Sequence, residues 1–189
     1  MSQTPLIIAH RGASAHAPEN TMAAFRLAVD QGADGVEFDV QLARDGVPVV
    51  IHDTTLKRTA GRPENVADLT SVQLSEIDAG SWFNRRYPSR AHDDHTLEAI
   101  PSLEAVLSLF ESQIGPIYIE LKCDAANFRP LTETVCSIIR DSQLLPTIIV
   151  KSFRLDAVAE VRRLLPEART AALFEPSIAT ILRSRHRII

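Results

Sequence analysis

The sequence predicts an α/β protein built around parallel β-strands. Three observations lead there. Short apolar runs alternate with segments of helical periodicity, mostly in strand–helix–strand order, which implies parallel strands joined by right-handed crossovers. The strand runs are nearly continuous in apolar residues, as strands are when both faces of a sheet are buried. The ionisable residues His10, Glu37, Asp39, His52, Glu120 and Lys122 fall at or near the C-terminal ends of strands, where parallel α/β folds build their sites.

Each element has a local reason. PLIIAH (5–10) is the first strand. NTMAAFRLAVDQG (20–32) carries apolar residues at helical spacing, with Asn20 or Thr21 as its cap and Gly32 as its stop. GVEFDV (35–40) alternates Val36, Phe38 and Val40 with Glu37 and Asp39, and reads as a strand with one apolar and one acidic face. VPVVIHD (47–53) is a third strand, reached through QLARDG without room for a helix. About seven extended residues span roughly 23 Å, enough to return the chain for a parallel strand. An antiparallel hairpin at ARDG is the simpler alternative.

A polar stretch at 54–100 follows as a small insertion. Within it LTSVQLSEID is a short helix, whose Thr70 and Gln73 make a capping box. Trp82 and Phe83 are expected to pack the insertion on the rim of the sheet, with contact to a substrate as the alternative. HDDH (92–95) sits in a polar loop with no strand to fix its geometry, and is not read as a metal site. The alternation then resumes with helix 102–113, strand 117–122, helix 129–142, strand 147–153, helix 154–165 ended by Pro166, strand 169–174 and a last helix at 177–185.

Composition bounds the function. The 189 residues are 45% hydrophobic, enough for one sizeable core. A net charge of −4 argues against a nucleic-acid-binding surface. No apolar stretch approaches the ~18–20 residues of a membrane span. MSQTPLIIAH lacks a basic leader, and Cys123 and Cys136 lack metal-type spacing. The expectation is a cytoplasmic protein with two free thiols.

Three carboxylates, Glu37, Asp39 and Glu120, would converge at one mouth. Left unpaired they would repel one another. A hard divalent cation, Mg²⁺ or Ca²⁺, resolves that repulsion with oxygen ligands and leaves open positions; zinc is less favoured without thiolates. His10 and His52 are then available as general acid and base, and Arg11 and Lys122 as cations for an anionic, phosphate-bearing substrate. Taken singly, each residue also has an ordinary explanation: a structural histidine, a rim charge, a cross-strand pair. Their joint placement is what points to hydrolysis of a phosphate ester.

HRG at 10–12, PENT at 18–21, EFD at 37–39, DG at 45–46, HD at 52–53, IPSLEAVL at 100–107 and ELK at 120–122 form an ordered set. In that order they resemble the glycerophosphodiester phosphodiesterases. The resemblance implies a TIM (β/α) barrel over residues 1–189, with the insertion after strand 3. It implies a divalent metal held by Glu37, Asp39 and Glu120, acid–base roles for His10 and His52, and phosphate contacts from Arg11 and Lys122. Glu19 and Asn20 would order the first loop or the metal's water shell, beside their plain reading as a capped helix start. The implied substrates are glycerophosphodiesters, cleaved to glycerol 3-phosphate and an alcohol. Six strands are read where a closed barrel has eight. The expectation is therefore an incomplete barrel, unstable or self-associating through its open side. A lysophospholipid-cleaving relative and a ligand-binding remnant are the alternatives.

Overall fold

The computed structural model describes residues 4–111 and 115–175, and the helix expected at 177–185 lies outside them. Six strands and seven helices alternate along these residues. They are β1 (Ile8–His10), α1 (Met22–Asp30), β2 (Gly35–Leu42), β3 (Pro48–Val50), α2 (Lys57–Ala60), α3 (Ser71–Ser75), α4 (Ser81–Arg86), α5 (Leu103–Phe110), β4 (Ile117–Leu121), α6 (Phe128–Asp141), β5 (Ile148–Ser152), α7 (Leu155–Leu164) and β6 (Arg169–Ala172). The five strands β1, β2, β4, β5 and β6 lie side by side in that order, all parallel. This is the strand succession of a (β/α) barrel, open between β1 and β6 among the described residues. No helix there is long and apolar enough to cross a membrane.

The third strand takes the simpler of the two routes the sequence left open. β3 pairs antiparallel with β2, Val40 opposite Val50 and Leu42 opposite Pro48. The turn between them closes at Gly46, whose amide donates to the Ala43 carbonyl at 3.0 Å and whose φ of 80° suits glycine. The expected strand reached residue 53, but the ladder ends near Ile51, whose N–H donates to Asp39 O at 3.0 Å. Beyond it the Gln41 side-chain amide donates to the carbonyls of Ile51, His52 and Asp53 at 3.1, 3.0 and 2.8 Å. A buried amide that takes three successive carbonyls turns the chain away from the sheet. His52 therefore does not end a parallel strand. The antiparallel register instead brings it back level with Glu37 and Asp39.

The alternation in β2 sorts its two faces as read. Phe38 and Val40 are fully buried under the helices, and Phe38 meets Phe25 of α1 edge-on at 5.6 Å. Phe25 in turn meets Phe110 of α5 at 6.0 Å, and Ile119, Leu131 and Val150 complete the main core. The insertion has a separate small core of Leu56, Val66, Leu74, Ile77 and Ile100 packed on Val49 and Ile51. The capping box on α3 forms: Thr70 Oγ1 accepts from the Gln73 amide at 3.2 Å, and the Gln73 side chain accepts from the Thr70 amide at 3.0 Å. Phe83 is fully buried against Trp82 and His95, contacts that lie within the insertion itself. In HDDH the His95 ring contacts Asn84 Oδ1 at 3.1 Å, and His92 Nδ1 accepts the Asp94 amide at 3.2 Å. Both rings serve the loop itself.

Candidate active site

Register places the acidic residues. In a parallel ladder, paired residues point the same way, and here His10 pairs with Glu37, Asp39 with Glu120, and Glu120 with Lys151. Two adjacent rows on one face of four strands thus collect a histidine, three carboxylates and a lysine. Glu37, Asp39 and Glu120 are all buried, and one oxygen from each lies within 4.8 Å of the others. Among the described residues this is the one group of three or more His, Cys, Asp or Glu placed to hold a metal.

The loop after β1 brings the first cation. Arg11 N–H donates to Glu37 O at 2.7 Å, and Asn20 N–H donates back to Arg11 O at 3.0 Å. Arg11 and Asn20 both take positive φ, 57° and 58°, strained for side-chain-bearing residues and typical of sites. Gly12 between them has φ 77°, and a Cβ there would meet Ala24 at 2.7 Å. The HRG turn therefore needs its glycine to seat against α1. The outcome is a set of contacts on Asp39: Arg11 Nε at 3.1 Å and Asn20 Nδ2 at 3.1 Å on Oδ2, and Lys122 Nζ at 3.3 Å on Oδ1. The α1 cap falls to Thr21, whose hydroxyl accepts from Ala24 N–H. Asn20 is thereby free to bind Asp39, and Glu19 reaches the same residue through Arg11 Nη1 at 2.8 Å.

Lys122 also touches Glu120 at 2.5 Å. Burial alone would lower its pKa, but hydrogen bonding to Glu120 and the Asp39 charge outweigh that and raise it. Lys151, absent from the sequence-derived set, sits 2.8 Å from Glu37 Oε1 and 3.4 Å from Glu120 Oε2. It was findable: in TIIVKSF it is a charge near the C-terminal end of an apolar strand, the same signal that selected Glu120. Three cations thus contact the triad, and the repulsion argument alone no longer requires a metal. What still fits one is the state of the carboxylates. Both Glu37 oxygens and Glu120 Oε1 are buried; Lys151 stands 2.8 Å from Glu37 Oε1 and Lys122 2.5 Å from Glu120 Oε1, while Glu37 Oε2 has no hydrogen-bond partner among the described residues. Buried carboxylate oxygens converging on one point, one of them unpaired, are the donor set a hard cation takes.

The two histidines are held differently. His10 is exposed, its Nε2 3.6 Å from Glu37 Oε2. The His52 ring is fixed by Asp53, with Nδ1 2.7 Å from Oδ1. Arg58 pairs with that same carboxylate and is the main cause holding Asp53 at a pKa of about 2. All nine sequence-derived residues therefore lie in one connected region: the triad with Arg11, Asn20 and Lys122 at its centre, His10 at its edge, and His52 joined through Asp53, Arg58 and Glu19. A groove of about 480 Å³ beside the β2–β3 turn contains none of them.

A parallel α/β sheet with buried carboxylates and cations at its C-terminal strand ends, His10 at their edge and His52 reached through the β3 hairpin, is the arrangement expected of a (β/α)-barrel phosphoester hydrolase. Comparison with known proteins makes this particular. The sequence matches the glycerophosphoryl diester phosphodiesterase family over residues 10–182, and the chain belongs to that family. It is 40% identical over 179 residues to the Bacillus subtilis protein YhdW, covering 95% of this chain and 70% of that one. It is 34% identical over 170 residues to a glycerophosphodiester phosphodiesterase of Caldanaerobacter subterraneus subsp. tengcongensis, covering 90% of this chain and 67% of that one. Among solved structures, an Oleispira antarctica phosphodiesterase in complex with its product sn-glycerol-3-phosphate superposes with a TM-score of 0.81 at 30% identity, covering 96% of this chain and 71% of that one.

Proposed function

We propose that this chain hydrolyses glycerophosphodiesters, such as glycerophosphocholine or glycerophosphoethanolamine, to glycerol 3-phosphate and an alcohol. One observation carries the reading: the buried Glu37–Asp39–Glu120 triad faces the same mouth as Arg11, Lys122 and His10. The product bound by the Oleispira relative supports the substrate class. Residues 1–189 are read as one catalytic domain, with 54–100 as an insertion that delivers the second histidine's support.

The triad would hold a single Mg²⁺ or Ca²⁺. A cation there supplies Lewis-acid polarisation of a phosphoryl oxygen. Arg11 and Lys122 bind the remaining phosphoryl oxygens and offset charge as it builds. His10 takes the proton from the neighbouring glycerol hydroxyl, whose oxygen attacks phosphorus. His52, its Nδ1–H donated to Asp53, gives its Nε2 proton to the departing alcohol oxygen. The P–O bond to the alcohol breaks and a cyclic phosphate remains. In the second half His52 takes a proton from water, and His10 returns one to the glycerol oxygen as the ring opens.

The test is glycerol 3-phosphate release from glycerophosphocholine with Mg²⁺ or Ca²⁺, set beside an EDTA control and His10→Ala. Release that EDTA and the substitution both abolish is the expected result. No release from the native chain while calorimetry shows metal bound would overturn the reading.

A further inference from the structure

Arg58 does not touch the triad, yet both halves of the site end on it. It lies in the four-residue helix α2 of the insertion. Its Nε and Nη2 donate to Asp53 Oδ2 and Oδ1 at 2.7 and 3.0 Å. Its Nη1 and Nη2 donate to Glu19 Oε2 and Oε1, both at 2.8 Å. The guanidinium also lies 5.8 Å from the centre of the Trp82 ring. Isolated surface ion pairs contribute little, but bidentate pairs linked into a network are the exception. Here one planar fork engages two carboxylates at once, and each carboxylate has a further partner in the site. Asp53 Oδ1 lies 2.7 Å from His52 Nδ1, and Glu19 Oε1 lies 2.8 Å from Arg11 Nη1.

We propose that Arg58 is a positioning residue for His52. It pins the Asp53 carboxylate against the barrel loop that carries Glu19, so Asp53 can only accept from His52 Nδ1–H and Nε2 is left to face the reacting oxygen. Three features support this. Among the described residues the Asp53 side-chain oxygens contact only His52 and Arg58, with no main-chain anchor. Arg58 holds Asp53 ionised, against burial that opposes it. The Glu19 carboxyl is also raised by burial, yet Arg58 and Arg11 together keep it below its ordinary value, so the second anchor stays charged as well. Lysine cannot replace this arrangement, because a point ammonium lacks the fork that engages two carboxylates.

The inference rests on His52 acting in the proposed hydrolysis, and the experiment separates the two. Arg58→Gln, Arg58→Lys and Asp53→Asn are compared with the native chain in two readouts. Ring ¹⁵N shifts of His52, assigned with His52→Gln, report which nitrogen carries the proton. Steady-state kinetics with glycerophosphocholine and Mg²⁺ report kcat and KM separately. Shifts are read at alkaline pH, where the ring is neutral: the native ring should then keep its proton at Nδ1, leaving Nε2 as the nitrogen that gains and gives up the transferred proton. In Arg58→Gln that preference should relax toward a mixture, and kcat should fall by about 10–100-fold while KM moves by less than about threefold. Arg58→Lys should recover only part of kcat. Asp53→Asn should match Arg58→Gln in direction, and the double variant should be no worse than Asp53→Asn, since both act through one hydrogen bond. A folded Arg58→Gln with native ring shifts and native kcat overturns the proposal. If Arg58→Gln does not fold, the same shifts in Arg58→Lys decide it. A native chain that releases no glycerol 3-phosphate sinks the hydrolysis reading, while the ring shifts still test the positioning.

Discussion

The sheet and the insertion place their site residues by different physics. Glu37, Asp39, Glu120 and Lys151 are set by backbone register across parallel strands, buried, with a shared core beneath them. His52, Asp53 and Arg58 are set by side chains: a glutamine amide that turns the chain, then a histidine–carboxylate–guanidinium relay on a short helix. The first arrangement fails only if a strand slips, which would also expose its apolar face. The second depends on a few hydrogen bonds at partly exposed positions. The proposed site thus has a rigid anion-rich wall set by register and a histidine-bearing wall held by a few side-chain hydrogen bonds.

A single substitution should cost most on the rigid side. Asp39→Asn removes the charge that Arg11 and Lys122 both contact. It should cut glycerol 3-phosphate release by about 10³-fold and abolish calorimetric metal binding, with little change in secondary structure by circular dichroism. Next come the two cores. Phe38→Ala beneath the triad should lower unfolding stability by about 3–5 kcal/mol in a denaturant titration, and Leu74→Ala in the insertion by about 2 kcal/mol. A larger loss from Leu74 would show that the insertion supports the fold as much as the sheet does.

A smaller effect concerns Lys151, whose ammonium occupies the edge between Glu37 and Glu120. Removing a cation that competes for those oxygens in Lys151→Met should tighten divalent-ion binding by about tenfold, the scale of one Coulomb contact near a protein surface, read by calorimetry. Weaker binding would mean that Lys151 organises the carboxylates instead of competing for them. The smallest effect is on the histidine-bearing side. Asp53 has a folded pKa of about 2 against an ordinary 3.8. Its depressed value stabilises the fold above pH ~4 and is lost as pH falls from there through about 2. Asp53→Asn should flatten that part of the acid limb in thermal melts taken between pH 5 and 2, and an unchanged limb would remove Asp53 from the network.

Most of the rigid wall was legible in the chain order. Strict alternation in GVEFDV sorts Val36, Phe38 and Val40 from Glu37 and Asp39 because a strand has only two faces. Thr70 marks its helix start, and Asn20 or Thr21 that of α1, because a side-chain oxygen just before a helix accepts from a free amide of the first turn. These are short-range constraints, carried within a few residues. The direction of β3, the arrival of Lys151 beside two acids, and the meeting of Arg58 with Glu19 are not of that kind. Arg58 and Glu19 are 39 residues apart in sequence. Two chain directions were open to β3 at nearly equal reach, and the Val40–Val50 register with Gln41 settled between them. Local pattern fixes which face a side chain takes. Which distant charge it finds there depends on strand order and on how the insertion folds back, and only the packed molecule decides that.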